Sequence, residues 1–261
     1  MARAGLVHVG AWSAQPIDAS DADDCGQNNL VSGTKMAFLN NIGTRLWHAA
    51  LPQDCLLCGA WSGNAPLCRA CRDELPTLPP GCPVCAMPSP GEQVCGNCLR
   101  YEPQFDATVA AWRYARPVDR LVQALKFHGR LPLASLFAQA LAARVARPDI
   151  IIPMPLHPAR LAERGFNQAA EIARHLAEPA MIALGGARRI RHTLPQAGLP
   201  IDARPGNVRH AFTCDLDLRK ARVAVVDDVM TTGATLNELA KVLKRAGAAR
   251  VENWVVARTL D

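Results

Sequence analysis

Aromatic side chains make up 5% of the 261 residues, with 2 Tyr among them. The chain therefore lacks the repeated stacking surfaces expected of sequence-independent single-strand binders. No apolar stretch approaches the roughly 20 residues that a bilayer span requires, so membrane insertion is not expected. The opening Met1-Ala2-Arg3 leads into neither a continuous apolar segment nor a small-residue cleavage site. A cytoplasmic protein with reduced thiols is the expectation. There is no Gly-Lys-Ser/Thr phosphate loop and no dinucleotide glycine fingerprint, which excludes the two commonest nucleotide motifs.

Cysteine, by contrast, is abundant and ordered. Of 10 cysteines, eight form four CxxC pairs, Cys55/Cys58, Cys68/Cys71, Cys82/Cys85 and Cys95/Cys98, and the second half repeats the first at an offset of 27 residues. Each CxxC turn can aim two thiolates at one ion, and two turns complete a tetrahedral site with Zn–S distances of about 2.3 Å. Disulfides would need an oxidising compartment, a redox CxxC normally stands alone, and iron–sulfur ligation usually shows other spacings. Two structural Zn²⁺ ions are expected, one on Cys55, Cys58, Cys68 and Cys71 and the other on Cys82, Cys85, Cys95 and Cys98. An interleaved pairing remains open. Cys25 and Cys214 stand at no ligand spacing and read as ordinary thiols.

The other strong signal is Val223-Ala224-Val225-Val226-Asp227-Asp228-Val229-Met230-Thr231-Thr232-Gly233-Ala234-Thr235. Its β-branched apolar run predicts a buried parallel strand, and Leu236 to Arg245 has helical periodicity. At a strand-to-helix turn, free N–H groups and the helix dipole favour an anion. Gly233 permits close backbone approach, and Thr231, Thr232 and Thr235 add hydroxyls. Asp227 and Asp228 fall at the carboxyl end of the strand, where open α/β sheets bind ligands.

This run resembles the signature of the type I phosphoribosyltransferases, whose loop binds 5-phosphoribosyl-1-pyrophosphate (PRPP). A second segment sharpens the likeness: Pro153-Met154-Pro155-Leu156-His157-Pro158-Ala159-Arg160, then Arg164-Gly165-Phe166-Asn167-Gln168, after another buried strand at Ile150 to Met154. Together with Leu125-Lys126-Phe127-His128-Gly129, Thr193-Leu194-Pro195-Gln196, Leu199, Arg204, Asn207, Ala211-Phe212 and the four CxxC pairs, it is similar to the ComF family, the ComFC- and GntX-like proteins of competence and DNA utilisation.

The resemblance implies a type I phosphoribosyltransferase-like, doubly wound, mainly parallel α/β sheet preceded by a double zinc ribbon. It further implies displacement of pyrophosphate from PRPP, with Mg²⁺ bridging pyrophosphate and ribose hydroxyls. Asp227 and Asp228 would position the ribose, Thr231, Thr232, Gly233, Ala234 and Thr235 would hold the 5-phosphate, and Arg160, Arg164 and Lys126 would neutralise the leaving group. Leu156 and His157 would lie in the pyrophosphate loop, with Arg204 and Asn207 reaching in from a mobile segment. Thr231 stands where purine-specific relatives carry Asp, so hypoxanthine and guanine are disfavoured as acceptors.

The expected organisation is a weakly structured acidic tail over residues 1–35, a helix plus ribbons over 36–104, and an α/β domain over 105–261. In that domain strands are expected at Thr108–Tyr114 and Val251–Ala257, and helices at Val118–Phe127, Leu133–Ala146 and Asn167–Leu176. The stretch His192 to Arg209 is rich in Pro and Gly; it reads as a loop that closes over substrate or as a solvated linker. Net charge is +6, with Arg188, Arg189, Arg191, Arg204 and Arg209 close together. That supports an alternative in which ribbons and basic loops bind single-stranded DNA or a DNA-uptake protein.

Overall fold

The computed structural model describes residues 53–176, 181–192 and 204–260. The expected tail, the helix near residues 36–50, Cys25 and most of the segment after His192 lie outside them. Among the described residues, no helix is long and apolar enough to cross a membrane.

Four parallel strands form the central sheet, in the order β1 (Ala107–Arg113), β6 (Arg250–Arg258), β5 (Arg222–Met230), β2 (Ile150–Pro153). Side chains alternate between its faces as strand geometry requires. Ala224 and Val226 enter one core with Ile151, Trp254 and Val256, whereas Val223 and Val225 enter the other with Ile152, Val251 and Val255. Both faces are covered, which explains the near-continuous hydrophobicity of β5.

Helices α3 (Val118–His128), α4 (Pro132–Ala142) and α6 (Gln168–Arg174) supply the first core. Helix α8 (Ala234–Arg245) and the antiparallel pair β3 (Ala187–Arg189) and β4 (Phe212–Cys214) supply the second. The helices that follow the adjacent strands β2 and β5 thus pack on opposite faces. Their connecting loops diverge, and a crevice opens at this switch point at the carboxyl ends of the strands.

The ribbons are built into these cores. Helix α1 (Arg69–Asp73) belongs to the first ribbon, whose Cys55, Leu67 and Leu75 join the first core. Helix α2 (Gly96–Arg100) belongs to the second, whose Cys82, Cys85 and Cys98 join the other. Three expectations need correction. Helix α4 ends at Ala142 and not Ala146, ahead of Pro148. The stretch after β2 is not all loop, because Pro158–Arg164 forms helix α5, with Pro at its first position and left-handed Gly165 ending it. Arg204–Val208 forms a short helix, α7, within the stretch read as loop, and Val208 is buried.

Candidate functional site

A cavity of about 310 Å³ lies at the switch point, between the β5–α8 turn and the β2–α5 connection. Its walls include Lys126, Leu156, Arg160, Arg164, Asp227 and the whole run from Val229 to Leu236. The sequence pattern thus brings together residues from α3, α5 and β5 that are far apart in the chain.

Each element aims its side chain for a local reason. On α3, Lys126 follows Val122 by one helical turn, on the face that buries Leu121, Val122 and Leu125. Its Nζ lies 2.6 Å from Asp228 Oδ2. Arg160 and Arg164 stand four residues apart on α5. Arg164 donates to Gln168 Oε1 and lies over the Phe127 ring at 5.4 Å. Asn167 explains the remainder of that motif: its Oδ1 accepts from the Ala169 and Ala170 N–H groups and caps α6, while its Nδ2 donates to the Met154 carbonyl at 3.0 Å. The loop after β2 is thereby fixed to α6.

The two carboxylates have different surroundings. Asp227 lines the cavity, and its Oδ1 accepts from the Asp228 N–H at 2.8 Å. Asp228 does not line it; it is buried, its Oδ1 accepts from the Val229 N–H and its other oxygen meets Lys126. Burial raises the pKa of Asp227 to about 6, against the pull of Lys126, Arg189 and Arg164. Burial lowers that of Lys126 to about 8, assisted by Arg164 and Arg160 and opposed by Asp227. The ligand-free site therefore concentrates cations at a cost that a multiply charged anion would relieve.

The Thr231–Thr235 turn begins where β5 ends. Gly233, the N-cap of α8, has φ +79°, and a Cβ there would lie 2.6 Å from Met230 Cε. The Thr232 hydroxyl accepts from the Ala234 N–H at 3.3 Å.

Some expected residues fall elsewhere. His157 caps α5 by accepting from the Ala159 N–H, and its ring meets His192 at 4.9 Å, beside the cavity and not in its wall. Asn207 does not line the cavity, and the side chain of Arg204 lies outside the described residues. Tyr114 lines it as well, with Gln168 of the Arg164–Gln168 motif and Arg189, which the sequence offered only as one of a cluster of arginines. Arg189 is buried on β3 and stacks over Phe212, between exposed Arg188 and half-exposed Ile190. The basic cluster marked it in the sequence, but its burial is hinted at only by its alternation with Arg188, over a strand of three residues.

The cysteines fall into two groups, Cys55/Cys58/Cys68/Cys71 and Cys82/Cys85/Cys95/Cys98, so the sequential pairing holds and the interleaved one does not. Cys58 and Cys68 sulfurs are 3.8 Å apart, and those of Cys85 and Cys95 3.6 Å. A tetrahedron with 2.3 Å Zn–S bonds has edges of about 3.8 Å, so both sets fit zinc. For Mg²⁺, the described residues offer no cluster of three or more carboxylate or imidazole ligands. Asp227 alone faces the cavity, which suits an ion that arrives on substrate phosphates and keeps much of its water.

Comparison with known proteins agrees on both halves. Residues 46–99 match the double zinc ribbon domain family and residues 161–260 the phosphoribosyl transferase domain family. Competence protein F of Haemophilus influenzae is 34% identical over 209 residues, covering 74% of this chain and 90% of that protein. The chain belongs to the ComF family. A second ComF relative, DNA utilization protein YhgH of Escherichia coli, is 32% identical over 228 residues, 80% of this chain and 99% of its own length. The more distant Competence protein ComFC of Bacillus subtilis is 24% identical over 212 residues, 74% of this chain and 84% of its own.

Proposed function

We propose that this ComF-family protein binds PRPP with Mg²⁺ at the switch-point cavity and transfers its phosphoribosyl group to an acceptor, in the service of DNA uptake or utilisation. The observation that carries this reading is the meeting, in one cavity, of the Thr231–Thr235 turn at the start of α8, the carboxylate Asp227 and a wall of Lys126, Arg160, Arg164 and Arg189.

The 5-phosphate accepts hydrogen bonds from the turn at Thr231–Thr235, assisted by the dipole of α8. Asp227 accepts from a ribose hydroxyl. Arg160, Arg164 and Arg189 grip the pyrophosphate, whose planar oxygen pairs suit guanidinium forks. As the anomeric C–O bond breaks, its electron pair leaves with pyrophosphate, and the same cations stabilise that charge. Asp228 holds Lys126 in place for this task. Mg²⁺, when bound, would supply further neutralisation of the leaving group's charge, with Asp227 the cavity carboxylate that would help hold it. The acceptor then bonds to the anomeric carbon and loses a proton.

A second reading has its own support. Trp61 is 72% exposed and Tyr101 63%, with the Arg100 guanidinium 5.1 Å over the Tyr101 ring, surfaces on which unpaired bases of single-stranded DNA could stack. Paired titrations across salt concentrations separate the two. PRPP affinity that depends on Mg²⁺ and on Asp227 supports the transferase. DNA affinity that falls steeply with salt and ignores Asp227, with no PRPP binding, overturns it in favour of nucleic-acid handling.

A further inference from the structure

Arg258, the last residue of β6, is 4% exposed and makes a set of contacts that the transfer chemistry does not itself require. Its Nε donates to the Cys85 carbonyl at 2.9 Å, inside the knuckle of the second ribbon. Its Nη1 donates to the Met230 carbonyl at 3.1 Å, to the Thr231 carbonyl, and to the Thr259 carbonyl at 2.6 Å. One guanidinium thus spans the ribbon and the first residues of the phosphate turn.

The strip around it is anchored in the same way. The Thr108 N–H donates to the Pro83 carbonyl at 3.1 Å, and the Gln104 N–H to Asn237 Oδ1 on α8 at 2.7 Å. The Phe105 ring lies within 3.8 Å of the position a Cβ on Gly233 would take.

Two physical points give this arrangement a consequence for the site. In a trans peptide the C=O and the following N–H point opposite ways. Carbonyls 230 and 231, held toward Arg258, turn the N–H groups of Thr231 and Thr232 away from it; these two residues line the cavity, and Arg258 does not. The second point is charge. Four thiolates around one Zn²⁺ carry a formal charge of −2, so a filled second ribbon supplies the anion beside the Arg258 cation.

We propose that Arg258 is a positioning residue: it locks the 5-phosphate turn in its anion-binding shape by tying it to the second zinc knuckle. This rests on the phosphoribosyl reading of the cavity, and the ligands below separate the two. Pyrophosphate meets the arginine wall, whereas ribose 5-phosphate meets the turn.

The test is calorimetric titration of each ligand, with two zinc ions per chain verified, against wild type, Arg258→Gln and Arg258→Lys. The expected result for Arg258→Gln is a loss of about tenfold or more in ribose 5-phosphate affinity, the scale of small misplacements in a binding site, with pyrophosphate affinity within about twofold of wild type. Arg258→Lys, which keeps the charge without the fork, should recover part of the loss. Unchanged ribose 5-phosphate affinity in zinc-loaded Arg258→Gln overturns the proposal, as does an equal loss for both ligands, which marks a general structural role. Wild type that binds neither ligand overturns the phosphoribosyl reading itself. If Arg258→Gln does not fold, amide exchange in Arg258→Lys decides: faster exchange confined to residues 231–236 supports the tie, and unchanged exchange there overturns it.

Discussion

Asp227 and Lys126 are each held partly against their charged forms by burial, and the sign of each shift fixes a pH window. A carboxyl whose native pKa is raised from 3.8 to about 6 binds protons more tightly when folded, so its contribution to stability falls as pH rises between those values. An amine lowered from 10.5 to about 8 is more protonated when unfolded across that interval, so its contribution rises with pH there. Between about 6 and 8 both groups are charged, and the ligand-free protein bears the full cost. On the proposed function, PRPP binding uses the Asp227 carboxylate and the Lys126 ammonium. Affinity should therefore follow a bell with limbs near those two values, read by titration from pH 5 to 9; a flat profile would remove both groups from the site. Asp228→Asn tests a different matter. It leaves Lys126 without its partner, and loss of one member of a buried ion pair costs roughly 3 kcal/mol, visible as a lower midpoint in urea denaturation.

At the scale of elements, the turn from β5 into α8 depends on one residue. Gly233→Ala adds the left-handed penalty of about 1–2 kcal/mol and a clash with Met230. Met230 can yield at its flexible end, but relief of the backbone strain at φ +79° moves the N–H groups of the turn, so we expect loss of ribose 5-phosphate binding together with reduced stability, measured by calorimetry and thermal melts. This turn was legible in the sequence because its chemistry is local: β-branched residues, two carboxylates, Thr-Thr-Gly and a periodic helix occur in order. The strands β1, β2, β5 and β6 were readable for the same reason, each being apolar on both faces. Helix α5 was not, since seven residues with a proline and three arginines or glutamates show no apolar stripe. Arg189 and Arg258 were not either. Arg189 lies in a basic cluster and Arg258 follows the apolar Val255-Val256-Ala257, and only the fold of β3 against β4, or of β6 against the ribbon, buries them.

For the whole molecule, the two ribbons are part of the cores and not appendages. Cys55, Leu67 and Leu75 pack with Trp254 on one side of the sheet, and Cys82, Cys85 and Cys98 with α8 on the other. Structural zinc contributes about 10–16 kcal/mol in isolated finger peptides, as much as a typical domain's entire stability. Stripping both ions with a strong chelator should therefore melt the sheet together with the ribbons, seen as one cooperative loss of far-ultraviolet circular dichroism. Retention of a folded α/β core without metal would contradict that integration. The repeat of 27 residues announced two metal sites, but nothing in it showed that each would face a different side of the sheet. Whether the switch-point cavity binds PRPP is decided by calorimetric titration of zinc-loaded wild type and Asp227→Asn with PRPP and Mg²⁺. Wild-type binding on the order of micromolar is expected, in the usual range for enzyme substrates, with an Asp227→Asn affinity lower by about 10- to 100-fold, the worth of a charge-assisted hydrogen bond. Folded, zinc-loaded wild type that takes up no PRPP, or equal binding by both proteins, would contradict that expectation.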